Sequence, residues 1–335
     1  MTGIEAGKSW SRIGPEVAPT ASSASGVWLL NEYSENQGAG TWPNPYFGAG
    51  FIAGGESTSP AQLTRVDKFA FPSDSRSTLG TGLSAATYAI AGFANSGTAG
   101  YAAGGVAQST VVDKFAFPSN SRTTLGTGLS SGIFYSSAMA NSGTAGYVSV
   151  GGTGNNTVNK FAFPSDSRTS LSTGLSRNVW QTAAFANSGT AGYFTGGYDG
   201  SSSIYTTVDK FTFPGDARSV LSTGLSAANR LGGGMADSGT AGYTGSGGNL
   251  FYNINKFAFP SDARTTLSAT LSPQYIYAAG GFANSGTAGY FAGGQNGGAL
   301  STVAKFAFPG DTKTTLSTGL SAPSAYSAAF ADGNV

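Results

Sequence analysis

The stretch ANSGTAGY begins at Ala94, returns at Ala140, Ala186 and Ala283, and appears as ADSGTAGY at Ala236. A further copy opens at Ala331 as ADGNV and breaks off. Towards the other end, GAGFIAGG, Gly48 to Gly55, matches the second half that this copy lacks, as in TAGYFAGG from Thr287. One repeat is therefore divided, with its parts at opposite ends of the repeated region. Such a division suits a ring better than a row.

The pair KF sets the period. It falls at Lys68, Lys114, Lys160, Lys210, Lys256 and Lys305, with successive differences of 46, 46, 50, 46 and 49 residues. A period near 50 in a glycine-rich, β-type sequence points to propeller blades. Each unit reads as four short strands separated by turn signals. In the second unit Tyr88 to Ala94 is the first strand and NSGT a turn whose Asn and Gly tolerate positive φ. AGYAAGG, ending at Gly105, is the second. VVDKFAF is the third, with Phe115 and Phe117 on one face. In PSNSR, Pro118 ends the ladder, and TTLGTGL is the fourth strand. Only Trp28 to Asn36, WLLNEYSEN, has the pattern of a short helix.

A linear stack needs polar caps at both ends. Here residues 48–84 supply strands two to four of a unit, and Ala325 to Ala331 supplies strand one. Joining them closes the ring and removes the open edge. The expected fold is all-β: a six-bladed propeller over 48–335, closed by N- and C-terminal strands, after an extended arm over 1–47.

Composition agrees. The 335 residues include 52 Gly, 22 Phe and 15 Tyr, and only 10% are charged. Glycine without a Gly-X-Y period excludes collagen, and the aromatics exclude a disordered linker. The net charge of +1 advertises no nucleic-acid partner. Of 17 basic residues, 12 occupy two repeated positions and belong to the template. There is no Cys and no His, which removes thiol chemistry and the commonest general base and metal ligand. No signal peptide is evident, and no apolar run approaches the ~20 residues of a membrane helix.

The repeat resembles the kelch repeat, best in Gly192 to Leu221, GYFTGGYDGSSSIYTTVDKFTFPGDARSVL. That unit has the apolar stretch ending at Gly196 and Gly197, the polar loop, and an aromatic at Phe211. It departs in carrying Phe for the usual Tyr, Leu221 for the usual Trp, and a longer turn. A second resemblance lies in Ser23 to Pro43, SASGVWLLNEYSENQGAGTWP, which is similar to a segment of virion structural proteins of tailed phages, especially cyanophages. It implies a tail fibre, tail-tip or capsid-decorating fibre.

Several motifs reduce to structure. GIEAGKS, Gly3 to Ser9, is one residue short of a phosphate-binding loop and follows no strand. GAGFIAGG and GYTGSGG sit at the Gly-pair position of the repeat rather than in a βαβ unit. YDGSSS, from Tyr198, offers a single carboxylate where calcium needs several oxygens. The Asp74/Arg76 pair recurs as Asn120/Arg122, Asp166/Arg168, Asp216/Arg218, Asp262/Arg264 and Asp311/Lys313. A catalytic group is needed once and a packing device in every blade, so these residues and Lys68 with its equivalents read as turn stabilisers and inter-blade pairs. A carboxylate pair of glycosidase type would have to come from Glu56, Asp199 or Asp237, and nothing in the sequence joins them. The expectation is no catalytic residue, no metal and no cofactor.

The repeats differ from one another in two places: the loop between strands two and three, and the junction from strand four to the next strand one. Both emerge on one face of an up-and-down blade. That face carries Tyr88, Phe134, Tyr135, Trp180, Tyr198 and Tyr205. It also carries Arg230, Phe251, Tyr252, Tyr275, Tyr277 and Tyr326. Tyr and Trp give rigid, amphipathic contact area suited to recognition. Loop drift explains the variation equally well. The arm, with Trp10, Trp28, Leu29, Leu30 and Trp42, is apolar enough to dock on other virion proteins or on copies of itself as a homo-oligomer. The favoured reading is a non-enzymatic virion component that binds a host-surface glycan or protein. The alternatives are a protein-interaction scaffold outside a virion and a polysaccharide-cleaving enzyme.

Overall fold

A computed structural model of the chain describes residues 48–57, 61–150, 155–245, 247–248, 253–271 and 277–333. Contacts divide the chain into Met1–Phe47 and Gly48–Val335. The arm, its docking residues Trp10, Trp28, Leu29, Leu30 and Trp42, the short helix and the GIEAGKS motif lie outside the described residues. The second unit is an all-β propeller of six antiparallel four-stranded sheets.

Blade 1 is composite. From the channel outwards it runs β24 (Ala328–Asp332), β1 (Ala49–Ala53), β2 (Val66–Ala70), β3 (Ser75–Thr78). Blades 2 to 6 each use four consecutive strands, with inner strands β4 (Ile90–Asn95), β8 (Ala138–Asn141), β12 (Ala183–Asn187), β16 (Gly233–Asp237) and β20 (Gly280–Asn284). The inner strands touch in the closed order β24, β4, β8, β12, β16, β20 and back to β24. The split repeat is thus rejoined by backbone pairing, Ala49↔Asp332 through Phe51↔Phe330 to Ala53↔Ala328.

Within blade 2, two strand boundaries differ from the sequence reading by more than one residue. The inner strand of blade 2 begins at Ile90, not Tyr88, because Ala89 has φ 60° and turns the backbone out of the ladder. The outer strand is Arg122–Thr124 rather than the seven residues of TTLGTGL. Beyond it the chain curls back over the third strand, with Leu125 N–H donating to Val112 C=O and Leu129 N–H to Thr110 C=O. The short outer strands are mostly exposed and each carries an Arg or Lys, which blunts a free sheet edge.

Blades are held to one another by repeated contacts, and these explain the template. Tyr101 Oη and Lys114 Nζ of blade 2 both donate to Asp166 in the next blade's turn, at 2.7 and 2.6 Å. The same pair of bonds joins Tyr147 and Lys160 to Asp216, Tyr193 and Lys210 to Asp262, Tyr243 and Lys256 to Asp311, and Tyr290 and Lys305 to Asp74. The turn residue sits at φ 55–58°, which Asp and Asn tolerate. Burial, and then the neighbouring Asp, push these tyrosines well above their ordinary pKa, so they stay protonated donors. The Arg of the recurring pair acts differently: Arg122 and Arg218 reach Asp113 and Asp209 of their own blades at 3.4 Å. Those buried carboxylates also accept Ser84 and Ser176 N–H groups from the preceding blade-to-blade junctions.

The joint between blades 1 and 2 has other residues. Phe51 replaces the tyrosine, Asn120 replaces the aspartate, and Asn120 Oδ1 is buried without a partner among the described residues. Lys68 keeps the family pose, 5.7 Å above the Phe51 ring. A hydroxyl at position 51 reaches Asn120 Oδ1 in the geometry of the other joints. Phe51→Tyr is therefore expected to stabilise by about 1 kcal/mol and raise Tm by a few degrees. Tyr243→Phe should destabilise at least as much. Calorimetry of both variants is the check, and a Phe51→Tyr variant that melts lower than the parent would refute the equivalence of the joints.

Candidate functional site

Nine of the twelve residues expected on the variable face are described, and all nine are half-buried. Phe251, Tyr252 and Tyr275 lie outside the described residues. Tyr88, Phe134, Tyr135, Trp180, Arg230, Tyr277 and Tyr326 lie in or next to a feature that the sequence analysis missed, while Tyr198 and Tyr205 stand on the loop after Gly197. Ala89, Tyr135, Gln181, Leu231, Ala278 and Tyr326 occupy one position in successive blades, just before the inner strand, and all have φ of 57–60°. Their peptide groups form a closed head-to-tail ring. Ala89 N–H donates to Tyr326 C=O, Tyr326 to Ala278, Ala278 to Leu231, Leu231 to Gln181, Gln181 to Tyr135, and Tyr135 to Ala89, at 2.8–3.0 Å. Left-handed backbone is uncommon outside glycine and costs about 1–3 kcal/mol per residue. Here it turns every N–H and C=O along the circumference. No residue type flags it, since Ala, Tyr, Gln and Leu are not left-handed formers, so pattern reading had no signal to use.

The ring encloses a small cavity of about 60 Å³ lined by residues that include Tyr135, Ser136, Gln181, Tyr326 and Ser327. Gln181 is 8% exposed, and its Oε1 has no hydrogen-bond partner. Above the ring the aromatic side chains touch in an unbroken run. Tyr277 meets Tyr326 (6.4 Å between ring centres), and Tyr326 meets Tyr88 (5.9 Å) and Tyr135 (5.2 Å). Tyr135 meets Phe134 (5.2 Å) and Trp180 (5.7 Å), and Trp180 meets Tyr198 (6.0 Å). Arg230 stacks on Tyr198 at 4.7 Å and ends the run. Tyr205 stands apart, under Arg177 (4.5 Å) and donating to Asp199 Oδ2. Burial first, then the neighbouring Tyr88, Glu56 and Tyr277, push the Tyr135 phenol up to about 12, and Tyr326 is raised for similar reasons. Both present neutral hydroxyls at any physiological pH.

The carboxylates considered for hydrolysis do not converge. Asp237 ends an inner strand on the opposite face, where its Oδ1 accepts Gly286 N–H of the next blade at 2.7 Å. Asp199 is engaged within its own loop, accepting the N–H groups of Ser201, Ser202 and Ser203. These bonds hold its carboxyl well below the usual carboxylate range and make YDGSSS a self-capped turn. Glu56 stands beside Tyr326, its backbone paired with Ala325. Among the described residues there is no cluster of three acidic groups able to hold a metal ion. Nor is any helix long and apolar enough to cross a membrane.

The constant face is constant for a structural reason. The residue closing five of the six inner strands caps the next blade's turn: Asn95 on Gly143 N–H, Asn141 on Gly189, Asn187 on Gly239, Asp237 on Gly286 and Asp332 on Gly97, at 2.7–2.9 Å. The Gly pairs on the other face are likewise structural. Both glycines of the pairs Gly54 and Gly55, Gly104 and Gly105, Gly196 and Gly197, and Gly293 and Gly294 are left-handed, and Gly55, Gly105 and Gly197 give their N–H groups to the carbonyls of Thr87, Ile133 and Asn229.

Comparison with known proteins bears on the fold. No family model matches the chain, and no curated protein matches it in sequence. Among solved structures, that of YjhT superposes with a TM-score of 0.61 at 12% identity, covering 82% of this chain and 98% of the other. At that identity the likeness concerns architecture, and it places this chain among the β-propellers.

Proposed function

We propose that this protein is a non-enzymatic binding propeller of a phage particle, anchored through residues 1–47, whose aromatic face binds a host-surface glycan. The unbroken run of rings from Tyr277 to Arg230 carries the binding half of the proposal. Half-buried rings braced by one another are rigid, so little conformational entropy is lost on contact. Their apolar faces suit the C–H faces of sugars while their hydroxyls and the Trp indole reach sugar hydroxyls. The separation of Glu56, Asp199 and Asp237 supports binding without cleavage. The particle half rests on the likeness of Ser23 to Pro43 to tailed-phage virion proteins, and the kelch-like label on Gly192 to Leu221.

The test pairs location with binding. Mass spectrometry of purified particles should detect the chain. The purified protein should bind host-surface polysaccharide, and Trp180→Ala should weaken that binding at least tenfold while the propeller stays folded. Each anchor of this kind contributes about 1–2 kcal/mol or more. Binding that survives stripping of glycans but not of surface proteins would replace glycan by protein as the ligand. Absence from particles would remove the phage setting.

A further inference from the structure

The mouth is electrically uneven. Glu56 follows the Gly pair of blade 1 and is fixed beside Tyr326, its N–H donating to Ala325 C=O at 2.9 Å and its C=O accepting Ala325 N–H at 3.0 Å. Among the described residues its carboxylate enters no ion pair. Around it stand Tyr326, Tyr135, Tyr88 and Tyr277, which meet at interplanar angles of 52–68° rather than lying flat on one another. That arrangement leaves electron-rich ring faces without a parallel partner. A carboxylate with no ion pair among the described residues and neighbouring π faces both attract a cation, and the carboxylate favours one that carries N–H groups. Arg230, the cationic end of the run, is separated from Glu56 by the aromatic chain itself.

We propose that the Glu56 end of the channel mouth is a subsite for a primary ammonium group borne by a sugar, so that the glycan bound includes an unacetylated amino sugar. This rests on the glycan-binding reading above and narrows it. The ammonium sits against the Tyr326 and Tyr135 rings and donates to the Glu56 carboxylate.

Calorimetric titration of the full chain with glucosamine oligomers, their N-acetylated counterparts and choline tests it. The expected result is binding of the glucosamine oligomer that is at least tenfold tighter than that of the acetylated form and is weakened at least tenfold by Glu56→Gln. This variant keeps the backbone pairing with Ala325. Tyr326→Leu provides a second variant and should also weaken binding; Leu231 holds the equivalent ring position at φ 57°, so leucine fits that backbone. Equal binding of amine and N-acetyl forms, indifference to Glu56→Gln, or no binding of the glucosamine oligomer overturns the subsite. Choline bound in a Glu56-dependent manner while glucosamine is not also overturns it, because the N–H requirement then fails. Host polysaccharide that loses affinity with Trp180→Ala but not with Glu56→Gln overturns the subsite alone. Loss of neither would instead count against the glycan reading.

Discussion

Removal of residues 328–335 is expected to abolish cooperative folding. The deleted segment contains all of β24, which makes five residue pairs with β1 and supplies blade 1 with its channel-side strand. Phe330 is 3% exposed, stacks on Phe51 at 5.2 Å and lies 6.0 Å from Phe115 of blade 2. Truncating a phenylalanine so placed costs about 3–5 kcal/mol, already a large part of the roughly 5–15 kcal/mol that stabilises an ordinary domain. The backbone pairs and the contacts of β24 with β4 and β20 are lost as well. Their loss opens the ring on both sides and leaves β1 as a bare edge. The measurements are thermal unfolding by calorimetry and the oligomeric state by light scattering. The expected outcome is aggregation, or no transition, with partial recovery when a peptide spanning 325–335 is added. A truncated chain that melts as a monomer within a few degrees of the parent would show that the other five blades stand without closure.

The divided repeat made this closure legible, because a strand's identity survives separation from its neighbours. Registers and roles inside the blade were less accessible. The KF lysines and the turn aspartates were readable as structural because they recur in every unit. Their division of labour was not: the Lys and a second-strand Tyr meet the next blade's Asp, whereas the Arg turns back to Asp113 or Asp209 in its own blade. Contacts between blades join residues about 50 positions apart, and a period alone does not say which periodic positions touch. The candidate face was legible as a comparison among repeats, which located the variable loops. Its organising element was not, because the ring of left-handed residues at the mouth is made by Ala, Tyr, Gln and Leu under tertiary constraint. That Glu56 enters no ion pair among the described residues was also hidden. It depends on which side chains fail to come near, and no motif encodes that.

The second large effect is expected at a residue that the sequence shows six times without explanation, the glycine of AGY, which is AGF at Gly50. A Cβ built on Gly242 would stand 2.0 Å from the ring carbon Cδ2 of Phe185, far inside contact distance. Phe185 belongs to the inner strand of blade 4 and is 3% exposed, packed between Tyr193 (4.9 Å) and Phe257 (5.8 Å). The same knob and hole recur at every joint: Phe93 on Gly146, Met139 on Gly192, Met235 on Gly289, Phe282 on Gly50 and Phe330 on Gly100. The hole is therefore needed for the blades to approach at all, and the ring has nowhere to withdraw. Gly242→Ala is expected to cost about 3 kcal/mol, the upper part of the range for an overpacked core. Phe185→Ala should cost about 3–5 kcal/mol by leaving a cavity. Combined, the two should cost less than their sum by at least 1 kcal/mol, since the new methyl then enters space the ring has left. Phe185→Met is the mild control, below about 1.5 kcal/mol, because methionine already fills this position against Gly192 and Gly289. Urea unfolding of the four variants supplies the cycle. Strict additivity, or a Gly242→Ala variant as stable as the parent, would mean that the blades can slide apart. The spacing of the six-residue ring at the mouth would then have to be set by its own hydrogen bonds rather than by the packing beneath it.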